Sequence, residues 1–365
     1  GMDVHTTNYT LCCYSMEDDR FFAEVQVEPD AKNILKYLAR IEKQQSRDCR
    51  IVCGYEAGCL GYSLYHQLHA HGIDCVILAP TTMMTKPGKR IKTDRRDARL
   101  ISKCLAFHTY SPVYIPTEVD DAVKEYIRMR DDANSALARV KQQIIAFCIR
   151  HGKIHDGKSY WTNKHLEWLS SLDLGNKILS EVLQEYLIRY YQLREQVDMY
   201  DMRINELAQA EPYRQKVEKL GCFRGIAAHT ALSFCVEVGD FRRFATAQQF
   251  ASYLGLVPGE CSSGDKQQYT GITKAGNSHL RKLLVETAQV FGRSATKSGK
   301  SVALKERQAK CDSLTVAYAD KANARLKKKY FKIAMRSKVN IAKTAVAREM
   351  ACFIWGMMTD NISCA

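Results

Sequence analysis

The chain has no uninterrupted apolar run near the roughly 20 residues that a membrane-spanning helix needs. The segment Met350–Met358 is too short and follows Arg348-Glu349. The N-terminus shows no signal-peptide pattern. The 14 cysteines form no Cys-x-x-Cys pair and no Cys/His zinc framework. A disulfide scaffold is not expected at this length. Cys53 and Cys75, set in apolar runs, read as small buried hydrophobes of a reducing compartment. Acidic residues are also short: 40 against 54 Lys and Arg, a net charge of +14. Such a surplus points to an anionic partner, nucleic acid before an acidic membrane surface.

What is present is a globular composition, 46% apolar and 26% charged, over 365 residues. That is enough for more than one core. The first hundred residues alternate strand and helix signals. Gly1–His5 reads as the end of a short first strand, and Thr10–Ser15 and Phe21–Val27 as antiparallel neighbours. A helix is expected from Pro29-Asp30 to about Lys43, a strand over Arg50–Tyr55, a helix over Leu60–His71 and a strand over Cys75–Ala79. A basic connection, Thr81–Arg90, leads to a helix over Thr93–Ala106. Alternation of this kind predicts a central sheet covered by helices. Glu118–His151 and Asn176–Ala210 are long, charged and helix-periodic, the pattern of a helical hairpin or coiled coil. From Tyr213 the chain reads as mostly helical. Lys219–Ile226 is a Gly-containing turn between two helices, Gly255–Gly276 is a Gly/Ser/Lys/Gln-rich loop, and Arg325–Lys338 is a basic tract. The expected divisions are 1–112, 113–212 and 213–365.

Chemistry concentrates in Lys92-Thr-Asp-Arg-Arg-Asp-Ala98. Asp94 and Asp97, three apart, share a helix face, and carboxylates held together call for a cation between them. Mg²⁺ takes oxygen ligands and keeps phosphate oxygens among them. Asp3 and Glu56 each leave an apolar strand at its carboxyl end, where sites form in sheets of this kind. The four acids together can bind one pair of Mg²⁺ ions, or Mn²⁺, and clamp a phosphodiester. Lys92, Arg95 and Arg96 suit a polyanion. A second cluster is Cys261-Ser-Ser-Gly-Asp-Lys266 with Lys274 and Arg281, where an exposed serine hydroxyl would have cations beside it. A plain Ser/Gly surface loop would give the same pattern. Lys327, Lys328 and Lys329, interleaved with Tyr330 and Phe331, fit phosphate contact, and a solvated basic helix face would look similar.

Taken in order, Gly-Met-Asp-Val-His, Tyr55-Glu-Ala-Gly58, Lys92–Ala98 and Gly255-Leu-Val-Pro…Ser262-Ser-Gly…Gly271-Ile-Thr-Lys-Ala-Gly-Asn…Leu280-Arg281 resemble the DEDD transposases of insertion-sequence family 110, relatives of the pilin-gene invertase. The resemblance implies an α/β RuvC-like, ribonuclease H-type domain, a coiled-coil region and a mostly helical transposase domain with a helix-hairpin-helix-like unit. It carries Asp3, Glu56, Asp94 and Asp97 over as the metal tetrad, and Ser263, with Ser262 as its neighbouring alternative, as the nucleophile that forms a phosphoserine. It also implies a DNA substrate, a structured guide RNA, a homo-oligomer (dimer or tetramer), and a cytoplasmic, nucleoid-associated place in a bacterium. Two departures stand out. Gly225-Ile-Ala227 replaces the usual Gly-Ile-Gly turn. Almost nothing precedes Asp3, which reads as a truncation or an added Gly1, and a frayed first strand would weaken the placement of Asp3. Two other functions remain open: a junction-specific nuclease working with metal-activated water, and a nucleic-acid-binding protein from a decayed element. No Arg/His/Arg/Tyr constellation and no serine-recombinase motif is found.

Overall fold

Side chains that alternate along short apolar stretches organise the first part of the chain. The computed structural model describes residues 1–44, 50–83, 93–260, 269–293 and 299–362. They fall into two compact units, Gly1–Ile115 and Pro116–Ala365. The first holds a five-stranded sheet in the order β3-β2-β1-β4-β5. Its strands are β1 (Met2–Val4), β2 (Tyr9–Ser15), β3 (Arg20–Val27), β4 (Cys53–Glu56) and β5 (Cys75–Leu78). β1, β4 and β5 are parallel, while β2 is antiparallel to both its neighbours. The expected strand over Arg50–Tyr55 begins only at Cys53.

One face of the sheet presents Met2, Tyr9, Leu11, Cys53, Tyr55, Cys75 and Ile77. They pack on Ile34, Tyr37, Leu38 and Ile41 of α1 (Ala31–Gln44) and on Leu64 and Leu68 of α2 (Ser63–Ala70). The opposite face receives α3 (Asp94–Ala106), whose Ile101, Cys104 and Leu105 pack with Leu78 and Met83. Asp94, Asp97, Ala98, Ile101, Ser102 and Leu105 recur at intervals of three and four, so one stripe of α3 meets the sheet. The approach is close because glycines lie beneath it. A Cβ on Gly1 would strike Ala98 O and Ser102 N, and one on Gly54 would lie 2.7 Å from Val76 O and 3.0 Å from Leu105 Cδ2. The Ser102 hydroxyl sits 2.8 Å from the Cys12 carbonyl and stitches α3 to β2. The first strand is not frayed: β1 pairs with β2 on one side and β4 on the other.

The second unit is mostly helical, with α4 (Glu118–Arg150), α5 (Asn163–Ser170), α6 (Lys177–Gln209), α7 (Arg214–Gly221), α8 (Ala228–Val238) and α9 (Ala247–Tyr253). After a two-stranded antiparallel ladder, β6 (Pro258–Glu260) and β7 (Tyr269–Ile272), come α10 (Ser278–Ala288), α11 (Val302–Gln308), α12 (Ser313–Ala334) and α13 (Val339–Met358). α4 and α6 form an antiparallel hairpin along an apolar seam that includes Leu137, Val140, Ile144 and Phe147 facing Leu183, Leu187 and Tyr190. Their roots carry Val123, Ile127, Ile204 and Ala208 into the core built by α8, α10, α12 and α13. Residues 113–212 and 213–365 therefore share a core rather than forming separate compact units. The stretch 255–276 expected as a loop contains β6 and β7, a pairing that its Gly/Ser-rich composition hides. Cysteines such as Cys12, Cys53, Cys75, Cys104, Cys148, Cys222 and Cys235 are buried free thiols. Among the described residues no helix is long and apolar enough to cross a membrane.

The glycine contact under α3 is testable. Gly54→Ala is expected to destabilise the first unit by about 1–3 kcal/mol, the usual cost of overpacking, read as faster hydrogen exchange of β4 and α3 amides. Gly271→Ala, with nothing within 4 Å of the added Cβ, is the control and should leave exchange unchanged.

Candidate active site

Asp3 and Glu56 reach the α3 face by strand alternation. Met2 and Tyr55 are register partners on the parallel strands β1 and β4 and both point into the α1/α2 core. The next residues, Asp3 and Glu56, therefore turn to the other face, side by side at the carboxyl ends of their strands. Tyr55 fixes this edge from below: its hydroxyl donates to Gly61 O at 3.3 Å and accepts the Tyr65 N–H at 3.1 Å. α3 starts here. The Thr93 side chain caps it by accepting the Arg96 N–H, and Asp94 and Asp97 occupy its first turn, where the helix dipole favours negative charge.

The carboxylates meet. Ligand atoms of Asp3, His5 and Asp94 all lie within 4.8 Å of one another. His5 Nε2 is 3.3 Å from Asp3 Oδ2. Burial holds the Asp3 carboxyl above its ordinary range, His5 opposes that shift, and the charges of Asp97 and Asp94 add to it. Mutual repulsion within a half-buried acid cluster is the signature of a site that gains from a cation. Two carboxylates and an imidazole, with Asp97 acting on Asp3 through its charge, fit a divalent ion that takes oxygen ligands and accepts one nitrogen. Glu56 stands exposed at the adjacent strand end. His5 lies within the quoted Gly-Met-Asp-Val-His motif, yet spacing alone attaches no role to it.

Comparison with known proteins gives the family. Residues 1–149 match the DEDD transposase model of IS110, and residues 218–307 match the model described as the transposase IS116/IS110/IS902 family. Over 337 residues, 90% of this chain and 94% of the relative, the sequence is 32% identical to the transposase for insertion sequence element IS1533 of Leptospira borgpetersenii. It is 36% identical over 307 residues to "Putative transposase y4qE" of Sinorhizobium fredii, covering 84% of this chain and 75% of that one. The chain belongs to the IS110 family of transposases.

The second motif cluster of this transposase surrounds the β6–β7 hairpin. Ser262, Ser263 and Lys266, like Lys92 in the first unit, lie outside the described residues. The root of the hairpin is described, and it is a tight backbone crossing. Gly255 and Gly276 have φ of 64° and 70°, and a Cβ on either would strike the backbone of the opposing segment, at Ala275 or Tyr253. Lys274 N donates to Gly255 O at 3.1 Å and Asn277 N to Tyr253 O at 2.9 Å. Arg281 Nη1 donates to both Leu254 O and Ala275 O at 3.0 Å, so part of this guanidinium serves the crossing. Lys274 is exposed beside it.

The remaining expected cations divide between internal and external duty. Arg95 Nε is 3.3 Å from Glu24 Oε1, and Arg99 reaches the other oxygen of the same carboxylate; Arg96 is exposed. On α12, Lys329 and Arg325 both engage Glu349 of α13, Lys329 at 2.6 Å. Lys327 is half-buried, whereas Lys328, Lys332, Arg336 and Lys338 are exposed. In the α7–α8 turn the Arg224 N–H donates to Asn323 Oδ1 at 2.9 Å and the Arg224 Nη2 to Gly299 O at 3.0 Å.

This division predicts different salt dependence. Lys328→Ala should reduce the slope of log K against log [salt] for DNA binding by about 1, as loss of one phosphate contact does. Lys329→Ala should change it less, because Glu349 already neutralises that ammonium. Equal slope changes in a fluorescence-anisotropy titration series would refute the division.

Proposed function

We propose that this transposase cuts and rejoins DNA with a serine nucleophile assisted by a divalent-metal carboxylate site, as a dimer or tetramer guided by a structured RNA from its own element. The observation that carries the reading is the clustering of Asp3 and Asp94 ligand atoms, with Asp97 pressing electrostatically on Asp3. Asp3, Glu56, Asp94 and Asp97 would hold the ion. Mg²⁺ suits the oxygen donors, and Mn²⁺ also accommodates His5. When bound, the ion supplies Lewis-acid stabilisation of charge on phosphoryl oxygens.

The chain's own residues then divide the reaction. Ser263, or its neighbour Ser262, attacks phosphorus: an Oγ–P bond forms, one P–O bond to a sugar breaks, and the sugar oxygen leaves with a proton. The hydroxyl of a second strand displaces the serine in turn, and the serine recovers its proton. Exposed Lys328, Lys332, Arg336 and Lys274 hold backbone phosphates. The matched families, the parallel β1/β4 edge and the net charge of +14 support this reading. A RuvC-like classification of the sheet, coiled-coil pairing of the α4/α6 hairpin, phosphate gripping at the α7–α8 turn and a nucleoid-associated cytoplasmic location belong to the same proposal.

Two variants test it together. Asp94→Asn should weaken Mn²⁺ binding, measured by the free-ion electron paramagnetic resonance signal, and abolish strand transfer. Ser263→Ala should leave Mn²⁺ binding unchanged and lower strand transfer by about 10³-fold or more, the scale on which a lost nucleophile acts. Strand transfer that survives Ser263→Ala but not Ser262→Ala moves the role to the neighbour. Survival in both variants, or hydrolysis as the sole activity of the wild type, would favour the metal-activated-water nuclease instead.

A further inference from the structure

Away from the carboxylate site, a chain of half-buried charge crosses the second unit. Arg130 of α4 grips Asp201 of α6 with two bonds, Nε to Oδ1 at 2.7 Å and Nη2 to Oδ2 at 2.9 Å, and gives Nη1 to Asp131 at 3.1 Å. Asp131 Oδ1 also lies 3.0 Å from His229 Nε2 of α8. The other oxygen of Asp131 is 2.8 Å from His279 Nε2 of α10. The second ring nitrogen of His279, Nδ1, is 2.5 Å from Glu237 Oε1 of α8, a carboxylate whose side chain is 4% exposed. Asn277 completes the path. Its Nδ2 donates to Glu237 Oε2 and, at 3.3 Å, to the Tyr253 hydroxyl, while its Oδ1 accepts the Leu280 N–H and caps α10.

The charge state of His279 follows from geometry. A neutral imidazole has one N–H and one lone pair. Here both ring nitrogens face carboxylate oxygens, so a lone pair on either would oppose an anion. The arrangement is satisfied when both nitrogens donate, which makes His279 a cation between two anions. Partial burial works against that cation, but Asp131 and Glu237 outweigh it and lift its pKa to about 9. Reciprocally, burial opposes ionisation of Asp131 and Glu237, but the hydrogen bonds of His229, His279 and Arg130 draw Asp131 below its ordinary range, and His279 with Asn277 and Arg128 does the same for Glu237. The other titratable or charged groups bearing on the cluster are Arg130 and His229, both on Asp131, and Arg128, which acts on Glu237.

We propose that His279 is a positioning residue for the reaction: as a cation shared by Asp131 and Glu237, it fastens the root of the β6–β7 hairpin to the long helix α4. The two ends of that root, Tyr253 and Asn277, bond directly to Glu237 or to each other, and Glu237 bonds to His279. α4 itself is fixed to α6 through Arg130. The root between whose ends the Ser262-Ser263 segment runs in sequence is thereby held by the helical hairpin rather than by local turn geometry alone. This rests on the serine reading only for its catalytic consequence; the fastening stands or falls by itself.

The sign of the pH dependence is fixed. A raised imidazole pKa gives a contribution that is full below about 6.5, the ordinary imidazole value, and is lost as pH rises through about 9. Hydrogen exchange of the full-length wild type should therefore show amides of Tyr253–Glu260 and Tyr269–Asn277 losing protection above pH 9, beyond the intrinsic acceleration, while α13 amides stay protected. His279→Gln should expose the same amides about tenfold or more at pH 7 and remove that pH dependence. In strand transfer of a plasmid carrying the element with its flanking DNA, His279→Gln should lower kcat about tenfold with KM within twofold. Unchanged protection in His279→Gln, or wild-type protection flat across pH 9, overturns the fastening. Faster exchange with an unaltered kcat overturns the positioning role. Should His279→Gln not fold, the titration of the His279 ring in the wild type by NMR decides: a midpoint near 9 supports the clamp and one near 6.5 overturns it. Ser263→Ala measured alongside separates the cases, since its survival would sink the serine reading while leaving the exchange result intact.

Discussion

The close approach of α3 to the sheet governs the first unit. Gly1 and Gly54 offer no side chain beneath the helix, Ala98 is fully buried against the strands, and Ser102 bonds across to β2. Were the helix held a side chain's width further out, Asp94 could not share a 4.8 Å cluster with Asp3. The carboxylate site is thus a by-product of backbone packing. The same stripe that buries Ile101 and Leu105 delivers Asp94 and Asp97 one to two turns earlier, where the helix begins and burial ends.

Much of this was legible in the sequence because it is local or periodic. The i,i+3 acids, the alternating strands and the glycine-flanked Glu56 each announce themselves within ten residues. The long helices do so by charge and periodicity. The limits are equally physical. Cys53 starts β4 because Asp74 and Cys75 supply its partners, and no window around residue 50 contains them. β6 is Pro-Gly-Glu, residues depleted in strands, and β7 is a four-residue Tyr-Thr-Gly-Ile stretch with a glycine inside it, so their pairing depends on the crossing at Gly255 and Gly276. The Asp131–His279–Glu237 cluster joins positions 148 and 42 residues apart. Each of its members looks, in its own helix, like one more charged residue on a polar face.

The excess of positive charge also reads differently once its partners are known. Glu24 and Glu349 each hold two cations, and Asp360 is shared by Lys219 and Arg242. Part of the basic surplus therefore serves internal bonding, and other cations, Lys328, Lys332, Arg336 and Lys338 of α12 and the segment that follows among them, sit on exposed positions. Net charge reports both classes as one number. Only the second class is available to a polyanion.

The crossing at the root of the β6–β7 hairpin has a consequence for how this segment can vary. Its ends are held together by Arg281, Asn277 and two facing glycines, so closure is made at the root. Under such closure, doubling the length of the enclosed segment adds only about 0.6 kcal/mol of entropic cost. Insertions between the two strands are therefore expected to be cheap for the fold, whereas a side chain at Gly255 or Gly276 would part the crossing itself.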